Sequence, residues 1–477
     1  MNRRHTLLRV HCLRAMLRAM LALTLAACAG AAHAQLRLPS INLPSPSSIG
    51  GFDLDRPGLR ATALASDRAL RDMADPSMLR LDQVAKLLRR HRDVLEADPH
   101  GAPVVRREIV AWALTPAALA AALADGLRLE RTIGGGDGDG DDISEPGLAA
   151  LRTLVLRVPD GADTARMLAR LRARDPDGVY DFNHIYTGSA AGQMGGATPV
   201  ATANTVTIAG AGAVVPSSRG GPRVGLVDSG VDTSHAAFHG ARIERWGCAG
   251  QPHPSTHGTA VAALMVGQSG RFRGGAPQAH LYAADIYCDS PTGGSADKIA
   301  AALTWLAGEK IAVINLSLVG PANGALERIV GVLQQRGHVL VAAVGNDGPA
   351  APPLYPASYP GVVGVSAVDR NGRALPEAAR GPQVMFAAPG SNMVSAALGA
   401  PAFRPVRGTS FAAPLVAALL SHSVAQPDKA QAAAAIVALA KQAVRADGVT
   451  ISNETGYGIV GAALRIDPAS VNSDRIQ

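Results

Sequence analysis

Short continuous apolar runs recur through the second half of the chain: Val224–Val227, Ala312–Leu318, His338–Val344, Val362–Ala367 and Val384–Ala387. Helical patterns separate them. Parallel strands covered on both faces need such runs, because neither face meets water. From Pro222 onward the pattern therefore predicts an α/β domain, a parallel sheet with helices on both faces.

The first half has a different rhythm. Residues 56–98 set Leu among Arg and Asp at helical spacing and predict two amphipathic helices. Val104–Leu114 predicts a strand. Thr115, Pro116 and Gly126 then bracket PAALAAALAD with helix start and stop signals. Leu127–Ile133, Leu151–Val158 and Val179–Tyr186 predict further strands, with a helix over Asp163–Arg174. The order β-α-β, β-α-β predicts a small ferredoxin-like α+β unit. Its two halves are joined by GGGDGDGDD, residues 134–142. Asp137, Asp139 and Asp141 occupy the first three ligand positions of a calcium loop, but Asp142 replaces the bending glycine and Leu148 the closing acid. A solvated connection is expected instead.

These patterns divide the chain into residues 1–34, a Pro/Ser-rich and helical stretch over 35–100, the ferredoxin-like unit over 101–190, a flexible boundary over 191–221, and the α/β domain over 222–470. Thr187–Gly221 is rich in Gly, Ala, Ser and Thr and reads as connection throughout.

Composition changes the picture in two places. The net charge of +7 comes mostly from residues 1–34, which hold five arginines and no acid. The remaining 40 basic and 38 acidic residues leave +2, which offers nothing for nucleic acid. Those first residues have the form of an export signal: a cationic start, the apolar core Ala19–Ala27, and Ala32-His33-Ala34 before the expected cut. Leu25-Ala26-Ala27-Cys28 also resembles a bacterial lipobox, so a lipid anchor on Cys28 competes with soluble release to the periplasm or medium. No later segment is long and apolar enough for a membrane helix. Cys248 and Cys288 remain in the exported chain, either as one disulfide or as two buried thiols.

Candidate chemistry gathers where strands and helices meet. Asp228 ends the first strand of the α/β domain in VGLVDSG, and Asn346 follows another in VLVAAVGN. His257 opens an apolar helix in STHGTAVAALMVG, and Ser410 opens another in RGTSFAAPLVAALL. Each has a plain structural reading: an Asx turn for Asp228, a helix N-cap for Thr409 or Ser410. Together, in the order Asp, His, Ser at element ends that a parallel sheet can converge, they point to nucleophilic catalysis. VGLVDSGVDTSH, HGTAVAALMVG and GTSFAAP resemble the three signature blocks of the subtilisin-like serine peptidases, with 29 residues from Asp228 to His257 and 153 from His257 to Ser410. Chymotrypsin-like enzymes and α/β-hydrolases use other orders.

The resemblance implies Ser410 as nucleophile, His257 as base and Asp228 as its orienting carboxylate. It also implies an oxyanion hole of the Asn346 amide and the Ser410 N–H. Substrate would bind along Ser317-Leu318-Val319-Gly320 and Ala343-Val344-Gly345. That first segment departs from the family's usual Ser-Leu-Gly-Gly. If the backbone is unmoved, Val319 narrows the primary pocket and favours Ala, Leu or Met over Phe or Tyr. AAFHG after Ser234-His235 lacks the acid many relatives use for a structural calcium, so no metal is expected there, and no cofactor is implied. The family's βαββαβ pro-region chaperones folding and inhibits the enzyme by laying its last strand across the site. The ferredoxin-like unit matches that role, and the segment after VYDFNHIY would enter the cleft. A protein or peptide is the expected substrate. The competing reading is a catalytically silent subtilase fold acting as a binding or chaperone module.

Overall fold

A computed structural model describes residues 76–134, 148–188, 221–445 and 451–472. The leader with Cys28, most of the Gly/Asp-rich connection and residues 189–220 of the expected boundary lie outside these. The chain begins with α1 (Pro76–Arg90), β1 (Leu95–Ala97), β2 (Pro103–Trp112), α2 (Pro116–Ala124) and β3 (Arg128–Ile133). It continues through β4 (Thr153–Arg157), α3 (Thr164–Arg174), β5 (Val179–His184) and a short β6 (Thr187–Gly188). Strands β3, β4, β2 and β5 lie side by side in that order, every neighbour antiparallel. This is the ferredoxin-like order expected from the element sequence. Thr115 caps α2 by accepting from Ala118 N, and Asp163 caps α3 by accepting from Arg166 N.

The strand alternation explains why this small sheet reads as apolar on both sides. Ile109, Ala111, Leu154 and Leu156 pack against the unit's own helices through Leu168 and Leu171. Val110 and Val155 face the other way, onto Ala325 of the large domain. Both faces of the central strands β2 and β4 are thus buried.

Of the two helices expected over 56–98, the described residues hold only α1. The chain then turns and Leu95–Ala97 pairs with Pro103–Val105. Two forces override helical spacing there: Asp98 Oδ1 accepts from His100 N and Ala102 N, closing a tight turn, and Leu95 gains burial against Val105 and Ile185.

The large domain comprises β7 (Arg223–Asp228), β8 (Arg242–Trp246), α4 (Thr256–Val266), β9 (His280–Asp285), α5 (Ala296–Gly308), β10 (Val313–Leu316) and β11 (Leu318–Val319). It goes on through α6 (Gly324–Gln335), β12 (Val339–Ala343), β13 (Val363–Val368), β14 (Val384–Pro389), β15 (Met393–Ala396), β16 (Phe403–Val406), α7 (Thr409–Ser421) and α8 (Lys429–Gln442). Seven parallel strands form one sheet in the order β14-β13-β12-β10-β7-β9-β8. Helices α4 and α7 bury one face, with Val261–Val266 and Phe411–Leu420 in a single apolar cluster. Helices α5 and α6 cover the other through Ile299, Leu303, Leu306 and Ile329. After β7 the chain places β8 and β9 on one side of it and β10, β12, β13 and β14 on the other, so the carboxyl end of β7 lies at the switch point where such sheets form clefts.

The run Ala312–Leu318 is not one strand, as its continuity suggested. β10 ends at Leu316, and β11 leaves the sheet to pair antiparallel with β6. Buried Ser317 makes the break, because its hydroxyl bonds across to α7 instead of continuing the apolar run.

Candidate active site

Asp228 is the last residue of β7 and is buried. Its Oδ1 accepts from Ser229 N at 2.6 Å and lies 2.8 Å from His257 Nδ1. His257 is the second residue of α4, so its ring is presented from the first, rigid helical turn. Its Nε2, the nitrogen facing away from Asp228, is buried and bonds to no other protein atom. Burial alone would lower the imidazole pKa, but the Asp228 charge and hydrogen bond outweigh it, leaving it above the ordinary value.

Ser410 is the second residue of α7. The N-cap is neither Thr409 nor Ser410 but Gly408, at φ +127°, a conformation that favours glycine. A Cβ there would stand 3.0 Å from Asn346 Nδ2. With the N-cap position held by glycine, neither hydroxyl caps the helix. Thr409 Oγ1 accepts from Gly345 N at 3.2 Å, and Thr409 N donates to Asn346 Oδ1 at 3.0 Å. The second bond orients the Asn346 amide so that its NH2 end points away from Thr409. Ser410 Oγ donates to the Ser317 carbonyl at 3.3 Å. Phe411 sits against His257, ring centroids 5.6 Å apart.

Asp228 meets His257, Phe411 brings the start of α7 beside the same ring, and the α7 turn ties Ser410 to Ser317 and Thr409 to Gly345 and Asn346. Leu318 and Val319 form β11, Gly320 pairs with Tyr355, and Ala343 ends β12. Val344 N bonds to Val365 O, and Gly345 is tied to Thr409. The Val319 side chain packs at Gly345, its Cγ1 3.6 Å from where a Cβ of that glycine would lie. Cys248 and Cys288 form a disulfide linking the loops after β8 and β9.

Sequence reasoning treated Thr187–Gly188 as connection; it is β6, paired with the expected substrate strand as Thr187↔Val319 and Gly188↔Leu318. Tyr186 N bonds to Gly294 O on the opposite side, so the segment lies between two walls. The buried Tyr186 ring lies over Gly320, where any Cβ would collide with it, and its hydroxyl donates to the Pro321 carbonyl. A Cβ on Gly188 would be 3.7 Å from His257 Nε2. Beyond Gly188 opens a cavity of about 510 Å³ bordered by His257, Tyr287, Cys288, Arg404 and Phe411. Composition hid β6: only Tyr186 marks the segment as something other than linker.

The sequence profile of the subtilase family matches residues 219–458. Subtilisin-like protease 1 of Trichophyton verrucosum is 34% identical over 232 residues, 45% of this chain and 56% of the relative. Thermitase of Thermoactinomyces vulgaris is 32% identical over 206 residues, 41% of this chain and 72% of the relative. The chain thus spans about half the length of the first of these. The crystal structure of fervidolysin from Fervidobacterium pennivorans, a keratinolytic enzyme related to subtilisin, superposes with a TM-score of 0.60. It covers 78% of this chain and 62% of that one at 18% identity, a likeness of fold that extends beyond residues 219–458.

Proposed function

The chain belongs to the subtilase family, and from that membership we propose that it is an exported serine endopeptidase, made as a zymogen, working through an acyl-enzyme on Ser410. One observation carries the reading: the 2.8 Å Asp228–His257 contact beside an α7 turn that holds Ser410 and anchors the Asn346 amide.

In the proposed reaction His257 Nε2 takes the Ser410 hydroxyl proton as Oγ bonds to the substrate carbonyl carbon. Asp228 orients the ring and stabilises its cation without taking the proton. The oxyanion is held by Asn346 Nδ2 and Ser410 N, where the α7 N-terminus adds positive potential. Collapse breaks the C–N bond and passes the proton from His257 to the leaving amine. Water then attacks the acyl carbon with His257 again as base, releasing the carboxylate and restoring Ser410.

The zymogen reading draws on how β5 meets the large domain. Asp181 Oδ2 accepts from Gly324 N at the start of α6, and Asn183 Oδ1 accepts from Asp297 N at the start of α5. Both satisfy helix N–H groups that would otherwise lack partners. Around Asn183, Arg131 bridges Glu108 and Asp297. The chain then runs directly into the cleft as β6, where a pro-segment would block substrate. Export rests on the leader, with periplasmic or secreted release favoured and a Cys28 anchor the alternative. No described helix is long and apolar enough to cross a membrane.

Maturation tests this. Wild type should yield a band near the size of the large domain while Ser410→Ala stays long. Equal processing of both would remove self-cleavage from the account.

A further inference from the structure

The two donors proposed for the oxyanion sit on separate elements, and a third segment ties those elements together. Asn346 lies in the loop after β12, between Gly345 at φ +103° and Gly348 at φ +95°. Glycine adopts such angles readily but has no side chain to hold them, so the loop needs outside support. The connection between β13 and β14 supplies it from both ends. Ala379 N donates to the Gly345 carbonyl at 3.0 Å, and Gly348 N donates to the Glu377 carbonyl at 2.9 Å. That connection is itself fixed: Leu375, Ala378 and Ala379 are buried, and Leu375 N donates to the Ala367 carbonyl on β13.

Glu377 carries the same support across to α7. Its side chain is 9% exposed; Arg407 Nη2 donates to its Oε2 at 2.8 Å, and Arg407 Nε lies 2.7 Å from its Oε1. Two prongs on one planar carboxylate fix direction as well as distance. Arg407 directly precedes Gly408, the N-cap at φ +127°, with Ser410 two residues further on. Glu377 therefore holds the Asn346 loop by its backbone and the start of α7 by its side chain. Arg407 is 41% exposed, and an ion pair so placed is a modest stabiliser at most.

We propose that Glu377 and Arg407 are positioning residues for the oxyanion hole, their ion pair setting the spacing between the Asn346 amide and the Ser410 N–H. The proposal rests on the peptidase reading above. Negative charge develops on the substrate oxygen only as its carbonyl is attacked, so that spacing matters to the transition state and hardly to the bound peptide. Thr409 N already anchors one end of the Asn346 side chain, so the outer pair refines the geometry and does not create it. Losing a donor outright costs roughly 10²–10³ in kcat. Loosening two donors that remain present costs less.

The test compares processed wild type with Glu377→Gln, Arg407→Gln and Arg407→Lys on one peptide amide. In the two glutamine variants kcat should fall about tenfold while KM stays within about twofold. A peptide aldehyde of the same sequence, whose adduct with Ser410 places its oxygen in that hole, should lose affinity by the same factor as kcat. Arg407→Lys, which keeps the charge and disturbs folding least, should retain part of both. In an Asn346→Ala background Glu377→Gln should cost less than about twofold more, because one of the two donors is gone. Self-cleavage of the full chain needs no separate substrate and should slow by a similar factor, so a variant that fails to mature is still read. Glutamine variants with wild-type kcat and aldehyde affinity, or an equal loss with and without Asn346, would overturn the positioning role and leave the peptidase reading standing. A wild type that hydrolyses no peptide would take down both.

Discussion

Ser317 Oγ donates to the carbonyl of Ser410 at 2.9 Å, the carbonyl that would accept the N–H of residue 414 in an uninterrupted helix. Residue 414 is proline and has no N–H to give. Proline inside α7 therefore leaves that carbonyl to the Ser317 hydroxyl, which ties the backbone of the proposed nucleophile to the proposed substrate strand. Asn315 Nδ2 donates to the same Ser317 hydroxyl at 2.9 Å and holds it in place. Ser317→Ala should take this donor from a buried carbonyl, costing about 1–3 kcal/mol of stability and lowering kcat. Adding Pro414→Ala restores an N–H to that carbonyl and should recover part of the loss. A double variant no more stable than the single one would show that the bond is incidental.

The acid limb of activity follows from His257. Its pKa stands above the ordinary value of about 6.5 because Asp228 outweighs burial, so the imidazolium, which cannot act as base, persists to higher pH. The kcat/KM of the released enzyme should rise with pH through a midpoint above that value. Asp228→Asn should move the midpoint down and cut kcat by roughly 10⁴. The sign for stability is opposite: the His257–Asp228 pair contributes fully below the unfolded histidine's pKa and fades as pH rises through the folded one. A midpoint that stays put in Asp228→Asn would contradict this assignment.

The Cys248–Cys288 bridge closes a loop across a separation of 40 residues. In the chain-entropy picture a loop of this size is worth roughly 3–4 kcal/mol. Cys288 also borders the cavity next to His257. Cys248→Ser with Cys288→Ser, made in Ser410→Ala to prevent self-digestion, should lower the unfolding midpoint in denaturant accordingly. Two free thiols in the non-reduced, denatured protein would contradict the bridge.

Much of this was legible from local chemistry. Thr115-Pro116 and Asp163 announced their helices, and the apolar runs announced the parallel sheet, because capping and two-sided burial leave marks within a few residues. β1 was not legible: the pairing of Leu95 with Val105 depends on the Asp98 turn, which helical spacing of Leu and Arg disguised. Thr187 and Gly188 carry no strand signal of their own. They are extended because β11 lends them a partner, and β11 exists because Ser317 breaks an apolar run. At α7 the hydroxyls looked like caps, and only the backbone angle of Gly408 releases them.

Val319 provides a test of specificity. Its Cγ1 packs at Gly345, adding a stiff branch where the family more often has glycine. Among apolar residues at the attacked position, Ala, Leu and Met should exceed Phe and Tyr in kcat/KM. Val319→Gly should raise Phe by about 1–3 kcal/mol of discrimination. Wild type preferring Phe, with no gain in the glycine variant, would sink the idea.

The central claim is that Ser410 is a nucleophile uncovered when the chain is cut close behind Gly188. That place follows from the pairing of Gly188 with Leu318, since the next position along Leu318–Ser317 reaches the carbonyl that lies 3.3 Å from Ser410 Oγ. The decisive measurement is the intact mass, with peptide mapping, of protein recovered from cells and treated with a fluorophosphonate. The account predicts a chain starting within a few residues of Gly188 and carrying one adduct, on Ser410, absent in Ser410→Ala. A folded, processed chain that takes no adduct at Ser410 would contradict it.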